Sequence, residues 1–229
     1  MAIDLYWGSG SPYSWRVLLA LEYKKLPYTS HLLQFSKQEH KSAQMLKMNP
    51  RGRVPVLKDG QGDSAYVCFE SLAILTYLDR KYPEPPLFGR SAEEAGTVMR
   101  VICEYQVYVE EHITRIIAAI FFQGLEGKLD DIAKAMQVVA SEARTIENRL
   151  AQSACLVGES LSAADLVVYP GIQLLLRALE RREAQELKAR FLPLETHYPA
   201  LAAWMRRVEA LPGYERTFPP HWRESLAPE

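Results

Sequence analysis

Every stretch of this chain that alternates in the manner of a β-strand lies before Glu70, and nothing beyond the proline-rich run Tyr82–Arg90 does so. That asymmetry constrains the fold more than any single motif. A small sheet must be assembled from the first third of the chain, and the rest must bury its apolar surface through helices alone. Ile3 to Trp7 reads as a buried strand stopped by Gly8-Ser9-Gly10. A helix follows from Pro12, with Trp15, Leu18, Leu19, Tyr23 and Leu26 at helical spacing, and Pro27 ends it. Tyr28 to Leu33 alternates as a second strand, and a polar helix covers Lys41 to Met48. Val54 to Leu57 and Ala65 to Phe69 pair as a hairpin about a Gly/Asp turn. Ser71 then starts a third helix carrying Leu72, Leu75, Leu78 and Tyr82 on one face. The order is β-α-β-α-β-β-α, a small sheet flanked by helices.

After the proline-rich run, Ala92 to Phe122 carries an apolar stripe through Val98, Val101, Tyr105, Val109, Ile113, Ile116 and Ile120. Further helical patterns cover Lys128–Leu150, Ser162–Leu179, Glu183–Arg190 and Ala200–Leu211, and the tail after Pro212 reads as irregular. Residues 1–82 are therefore expected to form an α/β domain, 83–91 a linker and 92–229 an all-helical domain.

Composition narrows the function. A chain of 229 residues that is 48% hydrophobic and 24% charged has material for a proper core. The net charge is −1, and the pairs Arg181-Arg182 and Arg206-Arg207 sit within helical patterns as solvated faces. No basic stripe offers a nucleic acid a footprint. Cys68, Cys103 and Cys155 are far apart and form no CxxC, which fits reduced, buried, structural thiols in a reducing compartment, the cytoplasm. The start of the chain lacks the basic and apolar regions of a secretory signal. Its most apolar run, Ile116 to Phe122, is too short to span a bilayer, so no membrane partner is expected. The histidines are scattered without ligand spacing, and no metal site is expected.

Three short features carry possible chemistry. In Ser11-Pro12-Tyr13-Ser14-Trp15-Arg16, Ser11 is a good N-cap and Pro12 suits a first helical turn. The same geometry sets a hydroxyl beside free helix N–H groups, where an anion is stabilised. If that anion is a thiolate, lowering its pKa by about two units needs about 2.7 kcal/mol. One hydrogen bond to a charged sulfur gives about 1.5–3 kcal/mol, and the helix end adds about 0.3–1 kcal/mol. A single serine suffices, with no base. In Asn49-Pro-Arg-Gly-Arg-Val-Pro-Val56, a proline opening a strand is unremarkable. With a cis Val54–Pro55 bond, the Val54 backbone would turn outward and pair with a peptide ligand. Glu70-Ser71 can simply cap the third helix, or Ser71 can hold a carboxylate while Glu70 holds an ammonium, together an amino-acid head group.

In this order and spacing, Ser-Pro-x-Ser-x-Arg, Asn-Pro-x-Gly-x-Val-Pro-Val and Phe-Glu-Ser-x-Ala-Ile resemble the glutathione transferase superfamily over nearly the whole chain. Gly158-Glu-Ser-Leu-Ser-Ala-Ala-Asp165-Leu is similar to that family's helix-capping segment. There Ser162 and Asp165 form a capping box, and Pro170 would kink the helix. The resemblance implies a thioredoxin-like N-terminal domain followed by an all-α C-terminal helical bundle, acting as a homodimer. It implies an enzyme that uses glutathione as co-substrate and conjugates it to a small, mostly apolar electrophile. Ser11 would donate its hydroxyl to the sulfur, with Ser9 and Ser14 as lower-ranked replacements. Val54, before a cis Pro55, would pair with the cysteinyl backbone, and Glu70 and Ser71 would take the γ-glutamyl end. Lys41 and Arg53 would meet the glycine carboxylate, with His40 in reserve. The second substrate would lie between the two domains, near Tyr105, Tyr108, His112 and Arg115 of the long helix. Tyr13 and the Phe218–Trp222 tail could cover it. Ser-Trp-Arg-Val resembles the zeta class, which includes maleylacetoacetate isomerases, whereas Ser-Pro-x-Ser is closer to tau-like and related bacterial sequences. A glutathione-dependent isomerase or dehalogenase, or a binding scaffold without turnover, shares the same site.

Overall fold

The computed structural model describes residues 3–181, 184–188 and 191–224. The chain divides into two compact units, one of residues 1–87 with 211–229 and one of residues 88–210.

The first unit is built on a four-stranded sheet in the order β2-β1-β3-β4, from β1 (Ile3–Trp7), β2 (Tyr28–Leu32), β3 (Val56–Asp59) and β4 (Tyr66–Phe69). β1 runs parallel to β2 and antiparallel to β3, and β3 is antiparallel to β4. The α1 helix (Pro12–Tyr23) supplies the crossover that a parallel β1–β2 pair requires. Its run from Ser14 to Glu22 is buried throughout, and it packs against α3 (Ser71–Lys81), which buries Ile74, Leu75 and Leu78. Lys24, at the end of α1, is buried and gives its ammonium to Asp79 Oδ1 (3.2 Å) and to the carbonyls of Tyr82 and Pro85 (both 2.6 Å). Burial lowers its pKa, opposed by Asp79.

Two expectations shift here. β3 begins at Val56 rather than Val54, because Pro55 has no N–H to place in a ladder. Two 3₁₀ turns, Phe35–Lys37 and Glu39–Lys41, precede a shorter α2 (Ala43–Met48), which Ser42 caps.

The second unit contains α4 (Ala92–Tyr105), a π-helical turn (Gln106–Glu110), α5 (Glu111–Ala118) and a second π-helical turn (Ala119–Gln123). The stripe from Val98 to Ile116 is buried as expected, but Ala119 rather than Ile120 continues it, where the second π turn shifts the register. α6 (Leu129–Leu150) and α7 (Ala163–Leu179) follow, then α8 (Gln185–Lys188), α9 (Leu194–His197) and α10 (Pro199–Glu209). The expected helix at Glu183–Arg190 lies partly outside the described residues.

Every residue of α7 from Ala163 to Ile172 is buried, with Pro170 inside the helix. Its N-terminus carries the capping box read from Ser162 and Asp165. Asp165 takes four donors: Leu156 N–H (2.9 Å), Trp204 Nε1 (2.8 Å), and the Ser162 N–H (2.8 Å) and hydroxyl (2.9 Å). Burial pushes its carboxyl pKa up, and those donors work against that rise.

The described part of the tail after Pro212 is not irregular. It forms α11 (Tyr214–Thr217) and α12 (Pro220–Glu224), and it groups with the first unit rather than with the helical domain in which the sequence placed it. The reason is Trp15, whose indole donates to Thr217 Oγ1 (2.9 Å) and meets the Phe218 and Trp222 rings edge-on. Cys68 and Cys155 are buried, whereas Cys103, expected buried, lies on the outer face of α4 and is exposed. Burial raises the Cys68 thiol pKa and pushes the Cys155 thiol up to about 12. Among the described residues, no helix is long and apolar enough to cross a membrane, and no three His, Cys, Asp or Glu side chains gather as metal ligands.

Candidate functional site

The strand register decides which loops meet. Tyr6, near the end of β1, pairs with Val56 at the start of β3, and Val56 pairs with Phe69 at the end of β4. On the other side of β1, Trp7 pairs with Leu32 at the end of β2. The segments after Trp7, after Leu32, before Val56 and after Phe69 therefore share one end of the sheet. These segments hold Ser11, His40 and Lys41, Arg53 to Pro55, and Glu70 and Ser71. Every site residue expected in the first unit, apart from Tyr13 in the first turn of α1, lies on them.

Ser11 is the N-cap of α1, and its hydroxyl oxygen accepts from the Ser14 N–H at 3.2 Å. With a lone pair so engaged, its own proton is left to donate. Ser14 is fully buried and lies 3.5 Å from the Gly8 N–H, so it offers nothing to a ligand. Ser9 Oγ is hydrogen-bonded to His221 Nδ1 at 2.6 Å. Of the three hydroxyls in this stretch, Ser11 is the one set by a helix N-terminus with a proton to give.

Val54–Pro55 is a cis peptide bond. Val54 stands outside the β3 ladder, and its N–H and C=O enter none of the described backbone hydrogen bonds. Glu70 is exposed, precedes α3 as its N-cap, and holds φ +68°, which a residue with a Cβ rarely adopts. Ser71 is buried at the first turn of α3 and accepts from Arg16 Nη1 at 3.3 Å. Arg16 is itself almost completely buried and lies 4.6 Å from the centre of the Tyr13 ring, whose own edge is exposed. It thus links the helix that carries Ser11 to the helix that begins at Ser71. The sequence reading gave Arg16 no role, although a charged residue inside an otherwise apolar buried run is a usable signal.

Lys41 and Arg53 are both exposed. The Lys41 side chain packs on Gly52, which has φ +57° and where a Cβ would lie 3.3 Å from Lys41 Cγ and from Leu46 Cδ2. Asn49, also missed as a site residue, is buried and shapes this loop, donating to the Arg53 carbonyl (2.8 Å) and accepting from the Arg51 N–H (3.1 Å). His40 stacks edge-on with Phe35, and its buried Nδ1 has no partner among the described residues.

In the second unit, the four residues expected along one side of the long helix divide. Tyr105 is buried, its ring against Gly171 of α7 with no space for a Cβ there, so it belongs to the core of that unit. Tyr108 is 55% exposed, and Arg115 is exposed and paired with Glu111 at 3.0 Å. His112 is half-buried, and its Nδ1 has no partner among the described residues. The π turn at Gln106–Glu110 contains Tyr108 and separates Tyr105 from His112 and Arg115, changing the helical register that the even spacing assumed.

Residues 10–81 match the family glutathione S-transferase, N-terminal domain, and residues 106–212 match glutathione S-transferase, C-terminal domain. Glutathione S-transferase A of Pleuronectes platessa is 32% identical over 97% of this chain and 94% of its own length. A maleylacetoacetate isomerase of Dictyostelium discoideum is 33% identical over 70% of this chain and 73% of its own. A glutathione S-transferase crystal structure from the Antarctic clam Laternula elliptica superposes with a TM-score of 0.82 at 29% identity, covering 98% of this chain and 95% of that one. On the matched domains, the fold and a relative that spans nearly its whole length, the chain belongs to the glutathione S-transferase family of enzymes.

Proposed function

We propose that the chain binds glutathione at the end of the sheet that carries Ser11, holds it as a thiolate, and transfers it to a small, mostly apolar electrophile. The observation that carries this reading is the Ser11 hydroxyl, which accepts from Ser14 N–H and so keeps its proton for a sulfur at the N-terminus of α1. The Val54 backbone, outside the β3 ladder, pairs with the cysteinyl backbone of the tripeptide. Glu70 takes the ammonium of the γ-glutamyl end, and Ser71 with the first N–H groups of α3 takes its carboxylate. Lys41 and Arg53 face the glycine carboxylate, with His40 as the alternative. Tyr13 presents an exposed aromatic ring in the first turn of α1 and offers apolar surface to the acceptor. The rate gain comes from the ionised sulfur and from holding two reactants together. The enzyme acts as a cytoplasmic homodimer that disposes of reactive electrophiles.

The test is a pH titration of bound glutathione, following thiolate ultraviolet absorbance in the wild type and in Ser11→Ala. A wild-type thiol pKa lowered by about two from the free value near 8.5, restored in Ser11→Ala with loss of most conjugating activity, is the expected result. An unshifted thiol in both proteins overturns the reading. The likeness to the Dictyostelium maleylacetoacetate isomerase favours a second reading, glutathione-dependent isomerisation at the same site. Turnover without net consumption of thiol would select it.

A further inference from the structure

The tail after Pro212 is built onto the segment that carries Ser11. Gly8, Ser9, Gly10 and Ser11 form a tight turn, closed by the Ser11 N–H on the Gly8 carbonyl at 3.2 Å. Gly10 sits at φ +80°, at the third position, where a turn of this kind needs a residue without a Cβ. Both central residues meet α12. Ser9 Oγ and His221 Nδ1 are 2.6 Å apart, a hydrogen bond between residues 212 positions apart in the chain. A side chain at Gly10 would lie 2.8 Å from His221 Cε1 and 3.3 Å from Trp222 Nε1, so the Gly10 backbone lies directly against the helix. Gly8 is closed off as well, because a Cβ there would strike the Phe35 ring.

The aromatic cluster already anchors α12 without His221. Trp222 is buried, edge-on to Trp15 at 5.4 Å and to Phe218 at 5.8 Å. The Ser9–His221 bond is exposed, so it adds little to stability. What it does add is a fixed position for the turn that ends in Ser11. We propose that His221 is a positioning residue of the thiol site: through Ser9 it locks the Gly8–Ser11 turn and so sets the direction in which the Ser11 hydroxyl donates.

This inference rests on the thiolate reading of Ser11, and the two are separable by experiment. The thiol pKa of bound glutathione, and kcat and KM with a general aryl-halide electrophile, are measured in wild type, Ser9→Ala, His221→Ala, His221→Asn and the double alanine variant. Each single alanine variant is expected to raise the thiol pKa by about 0.5–1 and to lower kcat about three- to tenfold, as for one weakened hydrogen bond. The KM for glutathione stays within about twofold, since Val54, Glu70 and Ser71 are untouched. The double variant is no worse than either single one, because both remove the same bond. His221→Asn, whose amide reaches the position of Nδ1, restores both readouts.

An unchanged thiol pKa in Ser9→Ala and His221→Ala, beside a depressed wild-type value, overturns the positioning role and leaves the Ser11 reading intact. Additive losses in the double variant, or no rescue by His221→Asn, also overturn it. A wild-type thiol with its free pKa removes both. Near-ultraviolet circular dichroism of the tryptophans tracks whether α12 stays docked. Should His221→Ala undock it, Ser9→Ala removes the same bond from the other side and decides the question.

Discussion

Glu70 holds a backbone conformation at φ +68° that disfavours any residue with a Cβ, and it does so at the mouth of the candidate site. Strain of this kind is worth about 1–3 kcal/mol and persists only where surrounding structure imposes it. Glu70→Gly relieves it, offset by about 0.5–1 kcal/mol of added chain entropy in the unfolded state. The expected outcome is a melting temperature unchanged or slightly raised, together with at least tenfold weaker glutathione binding by calorimetry. A variant that binds as tightly as wild type would show that the carboxylate takes no part. Ser11 was legible as the N-cap of α1 because a serine followed by proline is a local signal. The proposal prefers it to Ser9 and Ser14 on two structural observations, since Ser14 is buried and Ser9 is bonded to a partner on the far side of the sequence. Arg16 escaped notice for a related reason: its value lies in reaching Ser71, a contact that no spacing in α1 announces.

Among the elements, α7 was the most readable, because its capping box, its boundaries and its apolar run all lie within one continuous segment. Its stability rests on Asp165, whose four donors come from Leu156, Ser162 and Trp204. Asp165→Ala leaves buried donors without an acceptor and is expected to cost about 3–5 kcal/mol, read as a fall in the denaturant midpoint at unchanged slope. A loss under about 1 kcal/mol would mean that water or the backbone replaces the carboxylate. The elements that sequence misjudged are short or interrupted. α11 and α12 are too brief to display a period, and they exist because Tyr214, Thr217 and Trp222 find Trp15. The π turn at Gln106–Glu110 likewise leaves no trace in residue spacing, which is why Tyr105 was expected beside Tyr108 and is instead in the core.

For the molecule as a whole, the order of elements in the first third and the helical pattern beyond the proline-rich run were legible in the sequence, whereas the spatial order β2-β1-β3-β4 and the loops it brings to one sheet end come from the structure. The membership of residues 211–229 was not legible in the sequence either. They complete the first unit, where Tyr214 and Trp222 are each buried to within about 5% of full coverage. Burying two such side chains stabilises by about 3–6 kcal/mol, a large share of the 5–15 kcal/mol typical of a domain. A chain ending at Ala210 is therefore expected to melt more than about 10 °C lower and to lose retention on immobilised glutathione. Equal melting temperatures for the two chains would mean that Trp15 finds other cover. The same feature bears on synthesis. A ribosome makes the chain from the amino end, so the α/β unit emerges early but lacks its closing helices until residues 214–224 have been made. Residues 88–210 are then finished as a unit before the unit that carries Ser11.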